Sequence, residues 1–310
     1  METAIETENL TRKFGDITAV DHINLRVSKG EIYGFLGPNG AGKTTTIRML
    51  TGVLKPDYGT IVIMGYDIQK HPIQVKEQIS VVPEMANAYL DLTAWQNLML
   101  MGELYGVPKH DTRDRADRLL GELGLHERRS KLVRGFSKGM RQKLILCMAL
   151  LPDPKVLFLD EPTGGLDVES SRLIREMIRG LNQAETTVFL TTHNMDEANQ
   201  LCDRIAIINH GRIAAVDTPE HLRMKSSTLK SVEVCFSKPT SVDELSVFAG
   251  VSEAKKVGDK TRLYTETPHS VVENLIDFAR SKGLTITSVN TLAPSLEDVF
   301  IKLINEKEKT

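Results

Sequence analysis

Apolar and polar positions alternate through residues 1 to about 35, as in AIETENLTRKF and VDHINLRV, and this period of two predicts antiparallel strands. EIYGFLG, residues 31–37, replaces the alternation with a continuous apolar run ending in a glycine-rich turn, the pattern of a buried strand. KTTTIRMLTGV then predicts a helix closing near Gly52, and GTIVIMGYDI and ISVVPE predict further strand. Residues 93–151 turn to helical spacing. The middle of that stretch, KHDTRDRADRLLGELGLHERRSK, interleaves both signs of charge and reads as a solvated helix face. KVLFLDEP, TTVFLTTH and RIAIINHGRIAAV are apolar strand runs separated by helix-like segments. Strand and helix in alternation predict an α/β fold, a mostly parallel sheet covered by helices.

The texture changes around residues 217–230, where DTPEHLRMKSSTLK reads as a short helix and a linker. Beyond it come SVEVCFS, SEAKKVG and TRLYTET, a helix SVVENLIDFARSKG, a strand LTITSVN and a last helix SLEDVFIKLINEK. The expected organisation is a first domain over residues 1–220, with a helical subdomain at about 90–152, and a small α+β domain over 221–310.

Length and composition fit that division. A chain of 310 residues, 41% hydrophobic and 26% charged, can bury two cores and stay in solution. A formal charge of −2 argues against a protein that holds nucleic acid by counterion release. Cys147, Cys202 and Cys235 lack the CxxC spacing of metal or redox sites and read as reduced thiols. The longest apolar run, Leu144 to Leu151, is far short of the roughly 20 residues that cross a bilayer. METAIETENL has neither the basic start nor the apolar stretch of a signal peptide. The expectation is a cytoplasmic chain without direct membrane insertion, meeting a membrane only through a partner.

Candidate chemistry begins with GPNGAGKTT, residues 37–45, which satisfies G-x-x-x-x-G-K-S/T between an apolar strand and a helix start. Gly37, Pro38, Asn39, Gly40, Ala41 and Gly42 form the loop, and its glycines let backbone N–H groups approach phosphate oxygens. Lys43 reaches the β- and γ-phosphates, the Thr44 hydroxyl can ligate Mg²⁺, and Thr45 follows in the first helical turn. KVLFLDEP places Asp160 and Glu161 at the end of a buried strand, where paired acids are costly unless they are partnered or ligate a cation. Asp160 is the candidate for the metal's shell, and Glu161 for orienting or deprotonating the attacking water. A second anion seat stands in GFSKGMRQK, residues 135–143, where Ser137 can cap a helix flanked by Lys138 and Arg141 and stopped by Pro152.

Phosphate loop, FSKGMRQ, VLFLDEP, GGLD and TTH occur in the order found in the ATP-binding cassette (ABC) ATPases, and the resemblance covers residues 4 to about 220. It implies a P-loop cassette with a mainly parallel sheet, an antiparallel β subdomain and a helical subdomain. It further implies ATP and Mg²⁺ as ligands, and two cassettes paired head to tail with ATP between one phosphate loop and the other's signature motif. Ser137 and Gly139 would then serve a γ-phosphate bound to the partner. Phe14 matches the aromatic that stacks on adenine, its alternative being a core position between strands. Asp167 matches the loop touching the opposite subunit, or is the N-cap of the helix VESSRLIREM, and His193 matches the histidine at the γ-phosphate. Glu84 in VVPEM stands where the family most often has a glutamine sensing metal and water; a carboxylate there can still ligate Mg²⁺ but adds charge beside the phosphates.

Lys138 and Met140 depart from the usual Leu-Ser-Gly-Gly-Gln signature, and with Glu84 and the terminal LEDVF, residues 296–300, they resemble the ATPases of type 2 ABC exporters similar to the daunorubicin-resistance pumps. That resemblance implies an integral-membrane permease as partner, a second ATPase subunit, a place on the inner face of the membrane, and drug-like or lipid-like cargo. The stretch after Glu84, with Met85, Tyr89, Trp95, Met99 and Met101, is core at helical spacing or else the groove gripping a permease helix, with Tyr89 and Leu90 on it. The alternative function is a soluble cassette ATPase of DNA repair or ribosomes, whose usual tandem cassettes, coiled coils or zinc motifs are not evident in this sequence. A GTPase switch lacks its N-K-x-D motif.

Overall fold

The continuous apolar runs become the inner strands of a six-stranded sheet in a computed structural model of the protein, which describes residues 2–84, 88–183, 185–225, 230–292 and 295–306. The order is Arg212–Asp217, Arg204–Asn209, Ile32–Leu36, Thr187–Thr192, Val156–Asp160, Ile79–Val82. Neighbours run parallel except for the first pair, a hairpin turned by His210 and Gly211 at positive φ. Every residue of Ile32–Leu36, Val156–Asp160 and Thr187–Thr192 is buried, as parallel strands covered on both faces require.

The alternating N-terminal segments form a second, antiparallel sheet of Ile17–Ser28, Thr3–Phe14, Tyr58–Ile63 and Tyr66–Asp67. Its inward residues Ile5, Leu10, Ile23 and Ile61 share one apolar core with Phe35, Phe158 and Phe189 of the first sheet. Phe189 is the hub, with its ring centroid 5.8 Å from Tyr33, 5.4 Å from Phe35 and 5.7 Å from Phe158. Aromatic pairs of this kind add about 0.5–1.5 kcal/mol each beyond area burial, so this core fixes the three strands whose ends carry the site.

The helical stretch resolves into Ala94–Leu104, Lys109–Glu122 and Lys138–Leu150. Thr93 and Gln96 close a reciprocal capping box on the first, and Ser137 caps the third by accepting the Met140 N–H at 3.2 Å. The charged helix Lys109–Glu122 buries only Thr112, Ala116, Leu119 and Leu120, so its charges do form a solvated face. Pro72–Gln78, a helix the apolar pattern does not announce, buries Val75 alone and is too short to display a period. Met85 and the linker residues 226–229 lie outside the described residues.

The chain divides into Met1–Asp217 and Thr218–Thr310. The second unit holds an antiparallel sheet in the order Val251–Val257, Lys260–Thr265, Ser231–Phe236, Ile286–Leu292. With helices Val242–Ser246 and Pro268–Lys282 inserted as crossovers, the chain runs βαββαβ, a split βαβ arrangement. Val232, Val234, Leu263, Val271 and Leu275 make its core, and helix Pro268–Lys282 ends on Gly283 in the left-handed region. All three cysteines are free, and burial pushes the Cys147 and Cys202 thiols well above the ordinary thiol range.

Candidate active site

Ile32–Leu36, Thr187–Thr192 and Val156–Asp160 are consecutive neighbours running in one direction, so the segments leaving their carboxyl ends emerge side by side. Those segments are the phosphate loop, His193 and the Asp160–Glu161 pair. Ligands of open α/β sheets bind at this edge. The loop turns through Gly40 at φ 81° and Gly42 at φ 108°, and a Cβ on Gly42 would lie 2.4 Å from the Ala19 carbonyl oxygen, so only glycine fits there. Gly42 is also the N-cap of Lys43–Leu50 and brings no side chain to the helix start, which leaves the first N–H groups for an anion.

Lys43 is buried and folds back over the loop, its Nζ donating to Gly37 O at 2.7 Å and to Pro38 O at 3.2 Å. A Cβ at Gly37 would meet Ile208 O at 2.5 Å, and Ala41, buried, ties its N–H to Pro38 O at 3.2 Å. The loop is thus shaped before any phosphate arrives.

Asp160 is 3% exposed and accepts a hydrogen bond from the Thr191 hydroxyl. The next residue, Glu161, has φ 51°, a left-handed backbone uncommon outside glycine, held by its N–H to Thr191 O at 3.1 Å. That turn aims the carboxylate at the loop: Oε1 is 3.7 Å from Lys43 Nζ and Oε2 is 2.7 Å from His193 Nδ1. These groups face a cavity of about 790 Å³. Pro38, Asn39, Gly40, Gly42, Lys43, Thr44 and Thr45 of the loop line it together with Glu84, Glu161 and His193, and with Lys138, Gly164 and Gly165. Asp160 and Thr44 offer oxygen donors of the kind Mg²⁺ takes when substrate phosphates and water complete its shell. Among the described residues no cluster of three or more His, Cys, Asp or Glu stands ready to cage a metal.

The other expected residues lie away from this wall. Phe14 is 47% exposed beneath the Arg12 guanidinium, 4.9 Å from its ring centre, and is not a core residue. Asp167 accepts from the Ser170 N–H at 2.8 Å and hydroxyl at 2.9 Å, which holds its carboxyl below the usual carboxylate range and makes it a helix cap. Gly139 packs on Ser170 and Asp167 so closely that a Cβ would be 2.4 Å from Ser170 Oγ. Tyr89 and Leu90 are exposed at 53% and 43%. The fully buried Asn97 accepts the Tyr89 N–H at 2.8 Å and donates to Tyr89 O and Thr93 O at 3.0 Å each.

Sequence reasoning missed Gln142, which lines the cavity one turn beyond Lys138, and it missed Glu197. Glu197 is 1% exposed and accepts from the Thr163 hydroxyl at 2.7 Å, linking the turn after Glu161 to the helix after His193. Burial pushes its carboxyl above the ordinary range. Its signal in the sequence was an acid on the apolar side of a helix begun by Asn194, whose side chain accepts the Glu197 N–H.

Residues 20–164 match the ABC transporter family, and residues 218–304 match the DrrA1-3-like C-terminal domain of ATP-binding proteins. The daunorubicin/doxorubicin resistance ATP-binding protein DrrA of Streptomyces peucetius is 39% identical over 305 residues, covering 97% of this chain and 92% of its own. The chain belongs to the ATP-binding subunits of ABC transporters. The Nod factor export ATP-binding protein I of Ralstonia nicotianae is 35% identical, covering 96% of this ABC subunit and 93% of its own length. A solved ATP-binding subunit of an ABC transporter superimposes with a TM-score of 0.67 at 31% identity, over 72% of this chain and 93% of that one. The fold is therefore the expected α/β cassette with antiparallel and helical parts, and the activity is ATP hydrolysis. Relatives named for drug resistance and for Nod factor export, matched over nearly their whole length, do not favour the soluble, non-transport alternative. Among the described residues no helix is long and apolar enough to cross a membrane.

Proposed function

We propose that this ABC subunit powers an exporter of drug-like or lipid-like compounds from the inner face of the membrane, as one half of a head-to-tail pair that closes on ATP and reopens on hydrolysis. The observation that carries the reading is the carboxylate of Glu161, held between Lys43 and His193 over a glycine-shaped loop. In this scheme Lys43 and the loop N–H groups neutralise the phosphates, and Glu161 takes the proton of the attacking water. His193 turns Nδ1 to Glu161 and is free to present Nε2 to the γ-phosphate. Mg²⁺, held by Thr44 and Asp160 with Glu84 nearby, would supply charge neutralisation at the β- and γ-oxygens. Phe14, exposed beneath the Arg12 guanidinium, is the aromatic on which adenine would stack. The cassette ends near residue 220, and residues 221–310 form an accessory domain.

Ser137, Gly139 and Asp167 have no part in the cavity wall of their own chain, which supports their service to the partner's ATP. Ser137→Arg is expected to spare ATP binding by the monomer and to abolish ATP-dependent pairing and hydrolysis. Glu161→Gln is expected to trap an ATP-bound pair. Size-exclusion chromatography with light scattering, at saturating ATP and Mg²⁺, checks both; a Glu161→Gln chain that stays monomeric refutes the scheme. Co-purification with the permease, followed by a search for compounds that stimulate ATPase rate, identifies the cargo.

A further inference from the structure

Lys138 breaks the usual signature pattern, and the nucleotide-sandwich scheme gives it no task. Its Nζ donates to Gly164 O at 2.7 Å, joining the first turn of helix Lys138–Leu150 to the loop that follows Glu161. Gly165 has φ 66°, and a Cβ there would fall 2.6 Å from the same Nζ. Glycine at 165 therefore both makes the turn and clears a seat for the ammonium. The turn is closed from within, the Gly164 N–H donating to Glu161 O at 3.1 Å and the Leu166 N–H to Thr163 O at 3.2 Å. Gly139 supplies the second point of attachment, packed against Ser170 and Asp167 just beyond the turn. The signature helix thus grips the segment 161–170 at two places, and one of them lies three residues from the carboxylate that faces the cavity.

We propose that Lys138 is a positioning residue that couples the two ATP sites of the pair, a reading that rests on the head-to-tail arrangement. Its helix start meets the partner's ATP, while the turn it holds carries Glu161, which acts on the chain's own. Seating Ser137 on one γ-phosphate then fixes, through Nζ and Gly164 O, the height of the hydrolytic turn at the other. Lys138 also lines the cavity of its own phosphate loop, where its ammonium is engaged by Gly164 O, so contact with phosphate is the rival role that the test separates from bracing. A charged donor bonded to a carbonyl is a strong tie for so exposed a place.

The test is steady-state ATPase activity of the full chain carrying Lys138→Met or Lys138→Arg, together with ATP-driven pairing in the Glu161→Gln background. Lys138→Met is expected to lower kcat about tenfold, with KM changed less than about twofold and cooperativity in ATP lost. Lys138→Arg, which keeps a cationic donor, is expected to restore most of kcat. Pairing of the Glu161→Gln, Lys138→Met chain is expected at the same ATP concentration as Glu161→Gln alone. Unchanged kcat and cooperativity in Lys138→Met overturn the brace. A requirement for about tenfold more ATP to pair also overturns it and assigns the lysine to phosphate. If Glu161→Gln with Lys138 intact fails to pair, the head-to-tail premise falls and takes the brace with it.

Discussion

Glu161 and His193 meet at 2.7 Å, Oε2 to Nδ1, and the His193 N–H lies 3.4 Å from the same oxygen. One carboxylate oxygen is thus committed to the histidine, leaving Oε1 toward Lys43 and the cavity. Removing either partner should strike the chemical step and not nucleotide capture. Glu161→Gln and His193→Ala are each expected to lower kcat by about 10²- to 10⁴-fold, with ATP affinity changed by no more than about threefold. ATPase rates beside equilibrium titration with a fluorescent ATP analogue read the two effects apart.

Gly42 predicts a different failure. A side chain there faces both φ 108° and a backbone oxygen at 2.4 Å. Gly42→Ala is expected to distort the loop at a cost of about 1–3 kcal/mol, lowering Tm by several degrees and abolishing ATP binding. Gly106, with positive φ but nothing within 4 Å of its Cβ position, is the control: Gly106→Ala should keep ATP binding intact.

Glu197 gives the pH dependence. Burial raises its folded-state pKa above the ordinary 4.5, so the native state binds this proton more tightly than the unfolded chain does. Its contribution to stability is therefore greatest below pH 4.5 and declines as pH rises through the raised value. Glu197→Gln removes the titration and keeps an acceptor for Thr163. Its Tm relative to the native chain is expected to rise as pH increases above 4.5, as thermal melts from acid to neutral pH would show. A constant difference would mean that the carboxyl does not titrate there.

Tyr89 and Leu90 are exposed while the polar side chain of Asn97 is buried beneath them. Tyr89→Ala with Leu90→Ala is expected to leave basal ATPase and Tm within experimental scatter but to weaken assembly with the permease at least tenfold, about 1.4 kcal/mol. Co-purification of tagged permease with the variant measures it.

What the sequence made legible was whatever chemistry lies within one short segment. The phosphate loop, the acid pair after VLFLD and the histidine after VFLTT are each written next to the strand that delivers them. The Ser137 cap could be read from three consecutive residues. What escaped depends on contacts across the fold. Thr163 and Glu197 are 34 residues apart, and Lys138 and Gly164 are 26 apart, so no local period announces either bond. The left-handed turn at Glu161 also escaped, because glutamate carries no preference for it and the Thr191 carbonyl holds it in place. In the second unit, Val251–Val257 leaves most positions exposed and gives little period-two signal, which is why its strands were legible only as a class and not as an order.

Asn97 has a mechanical consequence. It holds both backbone groups of Tyr89, so that Tyr89 is stitched to the helix Ala94–Leu104 although four residues of loop intervene. Under the proposed permease contact, a load applied at Tyr89 would pass through these bonds to the helix as a lever arm instead of being taken up by bending of the loop. The stiffness that would transmit a partner's displacement comes from a single buried amide.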